Sequence, residues 1–527
     1  MTQKKTFQSL LTKGLKRFGD LPALTLLPAE TTFTYHELLE KTERISKYLL
    51  RLGVGRGTHV ATIIPNSLEG VVFGLAVQQC GATIVPLGEK LGNREVKFIL
   101  HESKPKVLIM ATQQHVATTL QYVEEENNSD VRIIGLPGFG IEYPERFEIF
   151  DWSEETTDPA VECQVALEDD IAILSYTGGT TGTPKGVMHT QKGLWAAVLS
   201  AAIEDPLDDR EKLLLSTPLV HSAGSLLWRS LMSGVHVYVM PTFHPVSFMQ
   251  TIKAYKITTT FMVPTMLYRL LGVTKKMEYD VSSMRNIYYG ASPISQERLK
   301  EAFEVFGPIM RQQYGMTECN IVISRLSKSA HYWAYHNKPE VLKSCGKPCL
   351  LTEIRMVDKE GNDVKPFELG EIIVKSPAMM IGYYQKPELT EETIRDGWLH
   401  TGDIGMFDES GYIYIKDRKK DMIISGGMNV YSSEVERVVN QHPAVSLSAC
   451  IGVSDPDWGE SVCVVVTIKE GARCSEEDII AFCKQNTSKY MVPKNVYFRE
   501  SLPLTPIGKV DKKELKKMYV EGLLSVN

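Results

Sequence analysis

The sequence has no pair of cysteines at CxxC spacing. Its nine cysteines are scattered, and the nearest two, Cys345 and Cys349, lack the companion cysteines or histidines of a zinc site. A disulfide scaffold and a zinc module are thereby excluded, and a reducing cytoplasm is the expected setting. Long apolar runs are missing too. The most apolar window, Gly70 to Gly88, is interrupted by Gln78 and Gln79 and carries four glycines and a proline, so it reads as buried core and not as a spanning helix. The N-terminus has lysines but neither the apolar stretch nor the small-residue cleavage site of a secretory signal. Basic residues are not in excess: 58 Lys and Arg stand against 64 Asp and Glu, a net charge of -6, with no basic stripe interleaved with aromatics. Nucleic acid is therefore not an expected partner. No period of about 20 to 50 residues and no low-complexity tract occurs, which removes solenoids and disordered arrays.

What the chain does have is length and alternation. At 527 residues it exceeds the size at which one core keeps growing, so at least two domains are expected, and 43% hydrophobic residues suffice to fill them. Short apolar segments ("HVATIIP", "ATIVPL", "KVLIMA", "IAILSY", "TTTFMVP") alternate with helical patterns such as "ELLEKTERISKYLLRLG". That alternation predicts an α/β protein with buried sheets. From about residue 350 the texture changes to short hairpin strands with turns at Glu360-Gly361 and Ser410-Gly411. The expectation is a large N-terminal domain, 1–419, of stacked α/β subdomains with a β-rich subdomain at about 350–419. A small α+β domain, 420–527, follows a boundary near Lys420.

The stretch "SYTGGTTGTPKGVMHT", Ser175 to Thr190, follows the apolar run "IAIL" and has the parts of an anion site. Glycine frees backbone amides, Thr177, Thr180, Thr181 and Thr183 offer hydroxyls, and Lys185 brings charge. It is not the phosphate loop of nucleotide hydrolases. Lys185 is followed by Gly186, so no hydroxyl stands beside the lysine to meet a metal.

The same stretch resembles the signature loop of the adenylate-forming superfamily: acyl- and aryl-CoA ligases, luciferases and the adenylation domains of peptide synthetases. "YYGASPIS", "QQYGMTE", "GWLHTGDIG", "DRKKDMIISGGMNVYSSEVE" and "PLTPIGKVDK" resemble further motifs of that family, in its order and across nearly the whole chain. The resemblance implies that a carboxylate attacks the α-phosphate of ATP, pyrophosphate leaves, and the acyl group then passes to a thiol. It implies a cradle for the β- and γ-phosphates from Thr177, Gly178, Gly179, Thr180, Thr181, Gly182 and Lys185. Gly290, Ala291, Ser292 and Gly315 would lie against the nucleotide. Tyr314 would offer an aromatic face to adenine, Thr317 a hydroxyl to the α-phosphate, and Glu318 a hard oxygen to Mg²⁺. Asp403 would accept from both ribose hydroxyls, and Arg418 would reach ribose or phosphate. Lys420 matches the hinge about which a mobile C-terminal domain rotates, and Lys509 would neutralise charge during adenylation. Lys419 reads as a solvated charge, and Lys512, Lys513, Lys516 and Lys517 as an exposed helix face.

His221 holds the family's histidine position beside the incoming acid. Trp228, Met262 and Val263 are the candidate acyl-pocket residues. No aspartate lies between Val220 and Met240 to pair a substrate ammonium, and Ser222 stands where dihydroxybenzoate-activating relatives have asparagine. A hydrophobic acid is left, fatty or alicyclic before aromatic, with Gly178 in place of the commoner serine pointing the same way. Ile424 stands where some relatives have lysine. The expected enzyme is an ATP- and Mg²⁺-dependent acid–CoA ligase, monomer or homodimer, with coenzyme A as co-substrate. The alternatives are a stand-alone enzyme loading a carrier protein and a silent sensor of ATP or acyl-adenylate.

Overall fold

The helix Tyr35–Arg51 shows how the local signals become structure. Leu38, Ile45 and Leu49 recur at helical spacing and are buried, while Thr34 and Glu37 close a capping box at its start. The structure, a computed structural model, describes residues 5–126, 130–152, 164–177, 183–274, 279–425, 427–505 and 509–524. The apolar window at 70–88 is split between a helix, Leu68–Gln79, apolar on every side and buried, and a strand, Thr83–Pro86.

Two large sheets carry most of the chain. One has nine strands, in the order Lys347–Pro348, Cys319–Leu326, Met310–Met316, Asn286–Gly290, Thr259–Met262, Lys212–Leu215, His236–Val239, Pro22–Leu26, Thr31–Thr34. Its six central strands run parallel, and antiparallel strands close both edges. The other has eight, in the order Gly382–Tyr383, Lys185–Thr190, Ile171–Thr177, Thr83–Pro86, His59–Ile63, Val107–Met110, Arg132–Gly135, Glu148–Ile149. Each of the five apolar runs read as strands is one. Residues of both sheets and the helices between them, among them Val60, Phe73, Leu214 and Tyr288, share one apolar core. The fold is mixed α/β, as the alternation predicts.

A third, five-stranded sheet is built from Glu353–Val357, Gly370–Lys375, Trp398–Phe407, Ile394–Arg395 and Ile413–Arg418. Both expected turns here use one device: Asp358 and Asp408 each accept backbone N–H groups of the turn they open, and Gly361 and Gly411 follow at positive φ.

The fourth sheet comprises Met428–Val430, Ile423–Ser425, Gly459–Ile468, Val445–Asp455 and Asn495–Phe498. Its strand Gly459–Ile468 alternates between two faces. Val462, Val464 and Val466 enter one apolar cluster, while Cys463 and Val465 enter another on the opposite face. The helix Ser432–Val439 meets the strand Ile413–Arg418 through four contacts: the Ser432 hydroxyl donates to Asp417 at 2.8 Å, the Ser433 N–H to the same carboxylate at 3.3 Å, the Ser433 hydroxyl to the Lys416 carbonyl, and Lys416 pairs with Glu434 at 3.0 Å.

One surface reading is corrected here. Lys512 does not share an exposed face with its neighbouring lysines. It opens the helix Lys512–Val520 three residues before the fully buried Leu515, which turns it inward. Its ammonium lies 2.7 Å from Glu436 and 2.7 Å from the Ser432 hydroxyl. Burial acts to lower its pKa, but the Glu436 and Asp417 carboxylates outweigh that and hold it above the ordinary lysine range.

Candidate active site

Strands Asn286–Gly290 and Met310–Met316 are parallel neighbours whose C-terminal ends finish together, the place where α/β sheets take ligands. Gly290 is required there: a Cβ on it would lie 2.2 Å from the Gln313 carbonyl. Ala291 follows at φ +69°, so the chain turns sharply and leaves Ala291 exposed and Ser292 half-buried at the strand end. On the next strand Tyr314 is buried, and Gly315 is exposed. The Tyr314 hydroxyl donates to Asp403 at 2.6 Å.

Asp403 is 4% exposed and lies directly across the third sheet from Arg418, whose guanidinium is 3.3 Å from its other oxygen. The carboxylate is thus engaged at both oxygens before any ligand arrives. Its remaining lone pairs are what it has left for a sugar hydroxyl.

Lys509 reaches the same place from the C-terminal segment. Two hydrogen bonds to Thr505 hold it: the Thr505 N–H donates to the Lys509 carbonyl at 2.7 Å, and the Lys509 N–H to the Thr505 hydroxyl at 3.1 Å. Burial, then the positive field of Arg418 and, beyond the opposing pull of Asp403, of Lys420 bring the Lys509 pKa down to about 8. Lys420 is lowered as well, by burial first and then by Arg418, with Lys185 adding to the effect. Arg418 thus acts on both Lys420 and Lys509, Lys420 acts on Lys509, and Lys185 acts on Lys420, with Asp403 opposing at both lysines. Cations linked in this way attract a polyanion.

Thr317 and Glu318 form the tight turn between Met316 and Cys319. Residues of the other large sheet grip it. The buried His189 sits 2.7 Å, through Nε2, from the Thr317 carbonyl, an acceptor, so Nε2 carries the proton. Burial pulls the His189 pKa down to about 4, which keeps the ring neutral. The Tyr383 hydroxyl donates to one Glu318 oxygen at 2.9 Å, and the Met380 N–H to the Glu318 carbonyl at 2.8 Å. Lys185 lies across the hairpin from Thr177 and holds its ammonium 5.4 Å over the Tyr383 ring. Gly178, Gly179, Thr180, Thr181 and Gly182 lie outside the described residues.

The donor set at Glu318 suits a magnesium ion that arrives with phosphate. One carboxylate oxygen carries a protein hydrogen bond and the other has none among the described residues, where no group of three or more metal-ligating side chains forms. Mg²⁺ is commonly held this way, by one or two carboxylates with phosphates and water completing its shell.

On the acid side, His221 caps the helix Ser222–Met232. The preceding loop folds tightly on the first turn: a Cβ at Gly224 would lie 2.1 Å from the Leu219 carbonyl. His221 is accessible yet set deep among protein groups, and this desolvation, with the charge of Lys509, brings its pKa down to about 4. The accessible residues of that helix start are His221, Ser222 and Ser225, and the Ser225 hydroxyl reaches Asn320 at 3.3 Å. One turn deeper, Trp228 is half-buried against Gly74 and Phe7, and Arg229 is buried with its guanidinium 5.5 Å over the Tyr288 ring. Met262 ends its strand and Val263 follows it, both buried.

His189, Tyr383 and Asn320 are site neighbours that the sequence reading did not single out. His189 lies within the stretch Ser175 to Thr190 and Asn320 two residues beyond the "YGMTE" motif, and those positions were the available signals. Among the described residues, no helix is long and apolar enough to cross a membrane.

Comparison with known proteins gives consistent matches. The family model described as "AMP-binding enzyme" matches residues 11–384, and "AMP-binding enzyme C-terminal domain" matches 434–509. The chain is 34% identical to a medium/long-chain-fatty-acid–CoA ligase, FadD8, of Mycobacterium tuberculosis, over 97% of this chain and 90% of that protein. The amide bond synthetase McbA from Marinactinospora thermotolerans superposes with a TM-score of 0.85 at 28% identity, over 97% of this chain and 99% of that one. The o-succinylbenzoate CoA synthetase MenE from Bacillus subtilis, in complex with the acyl-adenylate intermediate OSB-AMP, gives 0.81 at 29% identity over 98% of both.

Proposed function

The chain belongs to the AMP-binding enzyme family, and from that premise we propose how its residues divide the work. It is an AMP-forming acid–thiol ligase. It activates a hydrophobic carboxylic acid with ATP, releases pyrophosphate, and passes the acyl group to coenzyme A.

The observation that carries the assignment of roles is the pairing of Asp403 with Tyr314 and Arg418, in the field that Arg418 and Lys420 exert on Lys509, together with the joint hold of Tyr383 on Glu318 and Lys185. Adenylation brings a carboxylate against a triphosphate, so anion meets anion. Fixed cations and N–H groups lower that barrier because they need no reorganisation as the charge moves. Lys185 and the loop before it hold the β- and γ-phosphates. Thr317 meets the α-phosphate, and Lys509 stands between that phosphate and the attacking carboxylate. His221, neutral at pH 7, orients the acid without adding a charge. The strand end at Gly290, Ala291 and Ser292, with Gly315, lies against the nucleotide, and Asp403 with Arg418 takes the ribose.

Glu318 would hold a divalent cation, Mg²⁺ by its donor set, through the carboxylate oxygen not engaged by Tyr383, and the charge such an ion supplies would screen the phosphates. The carboxylate oxygen attacks the α-phosphorus and pyrophosphate leaves; the CoA thiolate then attacks the acyl carbon and AMP leaves. Residues 1–419 and 420–527 act as two bodies hinged at Lys420, so that Lys509 serves the first step and withdraws for the second. Trp228, Met262 and Val263 form the apolar wall of the acid pocket, with Ser222 and Ser225 at its accessible end. The described cysteines are free thiols, which suits a cytoplasmic enzyme.

The test is a panel of fatty, alicyclic and aryl acids offered with ATP, Mg²⁺ and CoA. Acid-dependent pyrophosphate, AMP and acyl-CoA in equal amounts support the reading. Phosphate and ADP as products would overturn it.

A further inference from the structure

Tyr383 belongs to a two-residue strand with no resemblance-derived role, yet it touches both of the side chains assigned to the metal–phosphate end of the nucleotide. Its hydroxyl donates to Glu318 at 2.9 Å, and its ring lies under the Lys185 ammonium at 5.4 Å. We propose that Tyr383 is a positioning residue for the metal-bound nucleotide, holding the Glu318 carboxylate through its hydroxyl and the Lys185 ammonium on its ring face.

The position is built to be rigid. Tyr383 is 6% exposed and lies opposite Val187 in antiparallel register, so it rides on the strand that begins with Lys185. Its N–H donates to the Thr390 hydroxyl at 2.9 Å, and the next residue's N–H donates to the Gly186 carbonyl at 2.7 Å. Gly382 precedes it at φ +150°, where a Cβ would fall 2.8 Å from Thr390. The same short segment also binds the Glu318 backbone, through Met380. Glu318 and Lys185 belong to different large sheets, and one phenol ties them together.

The chemistry follows from the carboxylate's two oxygens. A donor fixed on one of them sets the carboxylate plane and leaves the other to a cation, as partners of metal-ligating groups commonly do. The phenol O–H is the donor and the carboxylate oxygen the acceptor, so the contact has one direction only. The ring supplies a second, separable contact that holds Lys185 without neutralising it.

The proposal rests on Glu318 as the metal-binding residue, and the test separates the two. Mn²⁺ serves as probe, its binding to the full-length enzyme followed by electron paramagnetic resonance with a non-hydrolysable ATP analogue. Tyr383→Phe should weaken Mn²⁺ by about 10- to 100-fold in the ternary complex, the usual effect of losing such a partner. Affinity for the analogue without metal should stay unchanged in that variant. Tyr383→Leu, which also removes the ring, should weaken both. Glu318→Gln provides the reference. If it lowers Mn²⁺ affinity while Tyr383→Phe does not, the positioning role is overturned and the metal role stands. Should neither variant change Mn²⁺ binding, both readings fall. Equal loss of metal and metal-free nucleotide binding in Tyr383→Phe, with a lowered unfolding temperature, would reduce Tyr383 to a structural residue and overturn the proposal.

Discussion

Lys509 and His221 lie close enough for the charge of one to depress the pKa of the other. Each consequence can be read in a pH profile. The role proposed for Lys509 requires its protonated form, and with its pKa brought down to about 8 the charge is present below that value and lost above it. The kcat/KM for adenylation, which reports the free enzyme, should therefore fall as pH rises through about 8. Lys509→Arg, protonated at any accessible pH, should remove that alkaline limb even if its rate is lower. His221, at about 4, should contribute no acid limb near the ordinary histidine range. An acid limb at pH 6 to 7 that disappears in His221→Ala would contradict the neutral role. At this scale the motif residues were legible because each sits in a short pattern with its own chemistry. His189 and Tyr383 were not. They act on Thr317 and Glu318, more than 60 residues away in the chain, and only the pairing of distant strands brings them there.

The strands and helices show why patterns with a period were readable and contacts across elements were not. Apolar runs gave the parallel strands, since a strand buried on both faces is apolar throughout. Lys512 was misread because its neighbours' charges suggested a solvated face, and Glu436, its partner, lies in a helix far back in the chain. Removing one member of such a buried pair leaves the other uncompensated. Lys512→Met should cost about 3–5 kcal/mol in the urea unfolding of the C-terminal segment. A loss well under about 1 kcal/mol, the size of an exposed pair, would show that Glu436 is solvated instead. Gly290→Ala tests the close approach of the two central strands. The added methyl meets the Gln313 carbonyl, so the strand ends must part, and the KM for ATP should rise as the unfolding midpoint falls. An unchanged KM would show that the strand ends do not bear on the nucleotide.

For the molecule as a whole, the requirement is that one lysine serve the first half-reaction without obstructing the second. Lys509 is carried by the segment beyond the proposed hinge at Lys420, while Arg418 and Asp403 are on the third sheet before it. Stiffening the chain at Lys420 by proline, which fixes φ near -65°, should therefore slow thioester formation while leaving adenylation close to normal. Equal loss of both steps in single-turnover measurements would speak against a hinge there.

The most direct test follows the two half-reactions separately in Lys509→Ala. Acid-dependent exchange of labelled pyrophosphate into ATP should be strong in the unaltered enzyme and fall by about 10² to 10³ in the variant, the usual loss of one charge-stabilising donor. Acyl-CoA formation from a supplied acyl-adenylate should persist in both. Exchange undiminished in Lys509→Ala, or both half-reactions lost together, would contradict the account.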